Sequence, residues 1–122
     1  MKRIFLILGV LFTFVAVNAQ QAQTTPTPQE RAHNQALRLK KLVSLSDEQT
    51  TKVEAVFLSR AIAVDAIEAD AAKTPEQKKA DIKKVREEKD NELKAILTAE
   101  QYTQYEQQKA NRKARQAATN GQ

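Results

Sequence analysis

One short phrase occurs twice in this chain and constrains its fold more than any other feature. The segment LSDEQ at residues 45–49 returns as LTAEQ at residues 97–101. In each copy a hydroxyl residue precedes a Gln by three positions, which is the spacing of a capping box. The hydroxyl accepts a hydrogen bond from the backbone N–H three residues on, and the Gln side chain accepts one from the cap's own N–H. Each copy therefore predicts the start of an α-helix.

Two further segments have the same pattern, TPQE at residues 27–30 and TPEQ at residues 74–77. Both place Pro at the first helical position, where its missing N–H would have no partner anyway. Four boxes predict four helices, over residues 28–44, 47–72 and 75–96 and from residue 99 onward. No segment shows the strict apolar–polar alternation of a β-strand. We therefore expect an all-α fold.

The first nineteen residues are typical of a cleaved signal peptide. Lys2 and Arg3 precede an apolar run from Ile4 to Val17, and small residues follow it. The alternative is a membrane anchor, but the run has fourteen residues, against the ~20 that a spanning helix needs. We expect export to the periplasm, with the mature chain beginning near Gln20. Because the chain has no Cys, a lipid-modified cysteine and a disulfide framework are both excluded.

The remaining chain is expected to form one small helical domain. We divide it into a flexible lead-in (20–27), a helical domain (28–110) and a basic disordered tail (111–122). Loss of Lys2 and Arg3 reduces the basic residues from 20 to 18 against 15 acids, and hence the net charge from +5 to +3. A domain of this size has a marginal hydrophobic core. Because dimerisation would bury more apolar surface, we expect a homodimer. The tail is either solvated or an arm for anionic partners; nucleic acid is not an expected partner.

The second and third predicted helices form a long antiparallel hairpin. Each carries an apolar stripe at helical spacing, and the two residue numbers of every aligned pair add up to 149, which places the turn between Thr74 and Pro75. Each arm would be roughly 30–40 Å long at 1.5 Å per residue. The aligned pairs are Val53–Ile96, Val56–Leu93, Arg60–Lys89, Val64–Val85, Ile67–Ile82 and Ala71–Lys78.

Two features of this hairpin suggest a binding surface. Arg60 and Lys89 lie at one level inside the apolar stripes, and like charges repel strongly when buried together. We therefore expect the hairpin to be open to water at mid-length. The second helix also has a minor apolar stripe, which either another helix covers or a partner binds. That stripe consists of Ala55, Leu58, Ile62, Ala66 and Ala69. The candidate client-binding residues are Leu58, Arg60, Ile62 and Lys89.

The sequence shows no recognisable catalytic or metal-binding set. His33 is the single histidine, and the acids of residues 87–92 alternate with basic residues, as on an ion-paired helix surface. No nucleophile elbow, phosphate-binding loop or zinc spacing occurs. We expect a protein that binds partners and is not an enzyme, without cofactor or metal.

The repeated phrase resembles the paired LTxxQ motif of the Spy and CpxP family of periplasmic proteins. The resemblance extends to the leader, the helical chain and the basic end, although the first copy has Ser in place of Thr. It implies a four-helix subunit that pairs into an elongated, cradle-like dimer. It also implies that the motif residues are structural and hold helix ends together. These residues are Leu45, Ser46, Gln49, Leu97, Thr98 and Gln101.

The resemblance implies an ATP-independent periplasmic chaperone of the stress response. Such a holdase would bind unfolding envelope proteins on an apolar and basic helical surface. Two alternatives stay open at this stage: a regulatory binder of a membrane stress sensor, and a non-catalytic structural protein of the envelope.

Overall fold

The computed structural model describes residues 24–121 and contains four α-helices and no β-strand in that range. Helix α1 spans Pro28–Val43, α2 spans Asp47–Ala69, α3 spans Pro75–Ile96 and α4 spans Ala99–Asn120. The predicted all-α fold with four helices is confirmed. The predicted signal peptide lies outside the described residues, as do residues 20–23 of the lead-in. None of the helices within residues 24–121 is both long enough and apolar enough to cross a membrane.

All four helices begin with the capping box that the sequence predicts. The caps are Thr27, Ser46, Thr74 and Thr98, and each hydroxyl accepts from the backbone N–H of the third helical residue at 3.1–3.2 Å. The side chain at that third position accepts from the cap's N–H at 2.9–3.0 Å. Two backbone donors at each helix start are thereby satisfied without help from tertiary contacts.

The core contains residues from α1, α2 and α3 and one residue, Tyr105, from the second turn of α4. Helix α1 packs along α2 and α2 packs along α3, while α4 contacts α1 and α3. In α1 the apolar residues Ala32, Ala36, Leu39 and Val43 follow one another at the helical spacings of four, three and four, and all four are buried. Val53 of α2 and Leu93 of α3 are completely buried. The buried apolar cluster comprises Ala32, Ala36, Leu39, Val43, Leu45, Val53, Val56, Phe57, Leu93, Leu97 and Tyr105.

Burial along the α2–α3 hairpin decreases from the core toward its turn. The stripe residues Val64 and Ile67 of α2 and Ile82 and Val85 of α3 are only partly buried. Ala71, placed at the end of the stripe by its spacing, is exposed. The hairpin is therefore as predicted, but only the half that lies away from its turn belongs to the core.

Two predicted boundaries were wrong. Helix α2 ends at Ala69 and not at Ala72, because Asp70 adopts an extended backbone and its carboxylate accepts from the N–H of Ala72 at 3.0 Å. The expected disordered tail is helical as far as Asn120, although every residue from 110 to 121 is exposed. Ala, Gln, Lys and Arg are good helix formers, so this segment continues the helix without packing.

A left-handed residue makes the tight connection between α1 and α2. Ser44 has φ 57° and ψ 55°, and the N–H groups of Ser44 and Leu45 both donate to the carbonyl oxygen of Lys40. A residue with a Cβ is disfavoured in this conformation by roughly 1–2 kcal/mol, and Gly is not. We expect Ser44→Gly to raise the free energy of unfolding by about 0.5–1 kcal/mol, measured by urea denaturation. The control is Ser44→Ala, which removes the hydroxyl and keeps the Cβ; an equal gain in both variants would contradict the conformational explanation.

Candidate functional site

The two copies of the repeated phrase meet in space through their glutamines. The side-chain amides of Gln49 and Gln101 donate to one another, at 2.7 Å from Gln49 Nε2 to Gln101 Oε1 and 3.2 Å in the reverse direction. We call these two residues the glutamine pair. Each oxygen also accepts from the N–H of its own helix cap, so one side chain serves its own helix and the other motif at once.

The glutamine pair also binds the two chain segments that lead into the motifs. Gln49 Nε2 donates to the carbonyl oxygen of Ile96 at 3.2 Å, and Gln101 Nε2 donates to that of Ser44 at 3.3 Å. Each carbonyl belongs to the residue two positions before the opposite cap, so the arrangement is nearly two-fold symmetric. The junction of α1 with α2 is thus bonded directly to the junction of α3 with α4.

Above this junction the four helices enclose a partly open cleft of about 170 Å³. Its lining contains five cationic side chains, four apolar or aromatic ones and two Gln. Within residues 24–121 no Asp or Glu lines this cleft. We call it the basic cleft. Its lining residues are Gln35, Arg38, Leu39, Leu42, Phe57, Arg60, Lys89, Tyr105, Gln108, Lys109 and Arg112.

Arg60 and Lys89 both line the basic cleft, but less water reaches them than the sequence suggested. Only 13% of the Lys89 side chain is exposed, and the Nε of Arg60 is buried with no hydrogen-bond partner among residues 24–121. Burial lowers the pKa of Lys89, and burial followed by the charge of Arg86 lowers the pKa of Arg60. The expectation of a hairpin open at mid-length is therefore wrong in part, because α1 and α4 supply the neighbouring cleft wall.

The Tyr105 ring and the Asp90 carboxylate stabilise the lysines that line the cleft. The ammonium groups of Lys89 and Lys109 lie 5.8 Å and 5.6 Å from the centre of the Tyr105 ring. Asp90 accepts from the Tyr105 hydroxyl at 2.8 Å and from Lys109 at 2.6 Å, and it lies 3.6 Å from Lys89. Burial alone would raise the pKa of Asp90, but these donors outweigh it and lower that pKa. Burial and the bond to Asp90 together raise the pKa of Tyr105.

Three arginines of the basic cleft have no carboxylate partner. Arg38 lies on α1, Arg60 on α2 and Arg112 on α4, and none of them forms an ion pair with any residue between 24 and 121. Asp90 is occupied by Tyr105 and the two lysines. The cleft therefore combines uncompensated positive charge with apolar surface, which suits an anionic partner that also has an apolar part.

The four candidate client-binding residues do not form one surface. Arg60 and Lys89 meet in the basic cleft, whereas Leu58 and Ile62 lie on the other side of α2. Positions 60 and 62 point roughly 200° apart around a helix, since each residue turns it by ~100°. Leu58 packs partly against the core, and Ile62 is 50% exposed. Ala55, Ala66 and Ala69 of the minor stripe are exposed, so this stripe is largely uncovered within the subunit.

Sequence reasoning did not place Arg38, Asp90 and Tyr105 at a binding site, and it considered Lys109 and Arg112 only as part of a basic arm at the end of the chain. A signal for part of the set was present. Tyr105, Lys109 and Arg112 follow one another at spacings of four and three, which places them on one face of α4. The sequence gives no comparable indication that Arg38 and Asp90 approach this face. No group of three or more His, Cys, Asp or Glu side chains within residues 24–121 could hold a metal ion.

The Asp90 network generates a prediction about pH. A carboxyl whose pKa is lowered by folding stabilises the protein above its unfolded pKa of about 3.9, and that contribution is lost as the pH falls through the folded value. We expect Asp90→Asn to lower the free energy of unfolding by about 1–3 kcal/mol at pH 7, with the difference shrinking below about pH 4. Urea denaturation at several pH values measures it. Glu87→Gln, at an exposed position of α3 that forms no ion pair within residues 24–121, removes the same charge; it is the control and should change stability little.

The glutamine pair generates a second prediction. Gln49→Ala and Gln101→Ala each remove half of a capping box and half of the contact between the motifs. In a double-mutant cycle we expect a coupling free energy of about 1 kcal/mol between the two sites, measured by chemical denaturation. The matched control combines Gln101→Ala with Gln77→Ala, because Gln77 closes the box of α3 without reaching another motif. A coupling near zero for Gln49 and Gln101 would contradict the cross-bonded geometry.

Comparison with known proteins assigns the chain to a family. The family model described as a domain of unknown function, DUF4890, matches residues 16–105. No curated protein and no solved structure is detectably similar to the chain. The match covers well over half of the sequence and includes both copies of the repeated phrase. The chain therefore belongs to the DUF4890 family.

Proposed function

We propose that this protein is an ATP-independent holdase that binds unfolding envelope proteins. The observation that carries the proposal is the basic cleft, where five cations and four apolar or aromatic side chains line one opening and no acid of residues 24–121 takes part. Apolar surface retains exposed hydrophobic side chains of a client, and uncompensated cations attract its acidic ones over a longer range. Because neither contact requires a defined sequence, such a surface suits partly unfolded chains.

The small core supports a binding role of this kind. Leu37, Leu42 and Ile62 are 40–50% exposed, so the subunit leaves apolar side chains available outside the core. Leu42 also lines the basic cleft, and it extends the apolar surface of the cleft toward solvent. Arg60 and Lys89 are partly buried cations of the cleft, and burial of cationic groups lowers stability. A helical protein with a purely structural role would gain stability from apolar residues at these positions.

The resemblance of the repeated phrase to the paired LTxxQ motif supports the same proposal. We propose export to the periplasm on the basis of the leader, residues 1–19, and homodimer formation on the basis of the small core. Neither the family match nor the fold bears on the client range.

The first test is light scattering by an unfolding client protein with and without residues 20–122, in the absence of ATP. We expect suppression of aggregation at near-stoichiometric amounts. Arg60→Gln combined with Lys89→Gln should require roughly three- to tenfold more protein for the same suppression, because two charged contacts in the cleft are lost. Circular dichroism verifies that the helices remain.

The matched control is Lys83→Gln combined with Lys84→Gln, which makes the same change in net charge at two exposed positions of α3. Equal suppression by both double variants would reject the basic cleft as the client site. Ile62→Gln reports separately on the outer apolar stripe, and we expect a smaller effect from it. If the folded wild-type chain suppresses no aggregation, the holdase proposal fails, and a regulatory partner or a structural role in the envelope replaces it.

A further inference from the structure

We propose that the basic cleft is also a site for a small ligand, a single-chain amphiphile with an anionic head such as a carboxylate or a phosphate monoester. This inference goes beyond the holdase function and does not depend on it. It rests on three properties of the cleft, which are the charge of its arginines, its shortage of hydrogen-bond acceptors and its size.

The arginines specify the charge of the ligand. Arg38, Arg60 and Arg112 come from three different helices, line one cleft and form no ion pair within residues 24–121. The buried Nε of Arg60 has no hydrogen-bond partner within residues 24–121, and an unpaired buried donor lowers stability. Guanidinium groups bind carboxylates and phosphates through two parallel hydrogen bonds. An oxyanion in the cleft would pair with guanidinium groups that no carboxylate within residues 24–121 neutralises.

One carboxylate of the protein itself, that of Asp90, lies beside this cleft and is bound by residues that line it. Asp90 is held by Tyr105, Lys109 and Lys89, at 2.8 Å, 2.6 Å and 3.6 Å. Glu106 also accepts from Lys109, at 3.2 Å, so two carboxylates balance the two lysines, while the three arginines form no ion pair within residues 24–121. A second, external oxyanion would therefore pair with these arginines.

The remaining lining specifies the rest of the ligand. Leu39, Leu42, Phe57 and the Tyr105 ring provide apolar wall next to the charges. Apart from these groups the lining offers cationic donors and the amides of Gln35 and Gln108, so acceptors are few. A ligand with many N–H groups of its own would leave them unpaired on entering, whereas a hydrocarbon chain needs no partner. Acyl and alkyl chains satisfy this condition.

The volume limits the ligand to a small molecule. The cleft holds about 170 Å³, equivalent to a handful of waters at ~30 Å³ each in the liquid. That space accommodates a head group and the first part of one chain. The exposed Leu42 continues the apolar wall outward, where the rest of the chain would lie.

Calorimetric titration of residues 20–122 with sodium laurate and with dodecyl phosphate, below the concentrations at which they form micelles, tests the proposal. We expect one site per subunit for at least one of them, and the stronger of the two identifies the head group. Dodecyltrimethylammonium, with the same chain and the opposite charge, and acetate, with the head and no chain, should both bind at least tenfold more weakly. NMR should show a shift of the Arg60 Nε–H resonance on laurate or dodecyl phosphate binding.

Arg60→Gln combined with Arg112→Gln locates the site. We expect this variant to bind the anionic amphiphile roughly tenfold more weakly or worse, since two charged hydrogen-bond donors are lost. Lys83→Gln combined with Lys84→Gln should bind it as the wild type does. Loss of a buried cation should not unfold the helices, and circular dichroism checks this. The proposal is overturned if neither anion binds, if the cationic amphiphile binds equally well, or if the two variants behave alike.

The experiment separates this inference from the holdase proposal, because it uses no client protein. Ligand binding without any suppression of aggregation would leave the amphiphile site standing and remove the holdase function. Suppression that depends on the cleft, without binding of either anion, would do the reverse.

Discussion

The hydrogen bonds between Gln49 and Gln101 hold the architecture together. The four capping boxes are local, and by themselves they would produce four helices without fixing how these lie. The glutamine pair uses the boxes of α2 and α4 a second time, as donors and acceptors between motifs. Because each amide also binds the backbone before the opposite cap, the two interhelical junctions are held at one end of the molecule. The four helices extend from that end, and residues of all four line the basic cleft.

The electrostatically unfavourable part of this fold is the burial of cationic side chains at the basic cleft. Lys89 is mostly buried, its pKa is lowered by that burial, and Arg60 at the same level has a buried Nε without a partner. Asp90 and the Tyr105 ring compensate the lysines but not the arginines. A fold selected for stability alone would have placed apolar residues at these stripe positions, as it does at Val56 and Leu93. Incomplete compensation at one opening is typical of a binding site, and it is the basis of both proposals.

Much of the fold could be predicted because its signals are local. The capping boxes fix the helix starts to the residue, and the stripe of α1 is buried as its spacing indicates. Helix ends were harder. The end of α2 depends on the extended backbone of Asp70, and the persistence of α4 to Asn120 depends on intrinsic helix propensity in a segment whose charge suggested disorder. For the site, the pairing of Arg60 with Lys89 followed from the hairpin register, but the degree of their burial did not.

The sequence by itself determined the four helices, the long hairpin and the level at which two cations meet, because capping and periodicity act within a few residues or within one hairpin. Only the tertiary structure decided what surrounds those cations. It brought Arg38 from α1 and Tyr105, Lys109 and Arg112 from α4 to the same opening, and it directed Leu58 and Ile62 away from it. The physical reason is that the position of α4 depends on contacts between residues some fifty positions apart, the glutamines at 49 and 101. No pattern within a single helix specifies such a contact.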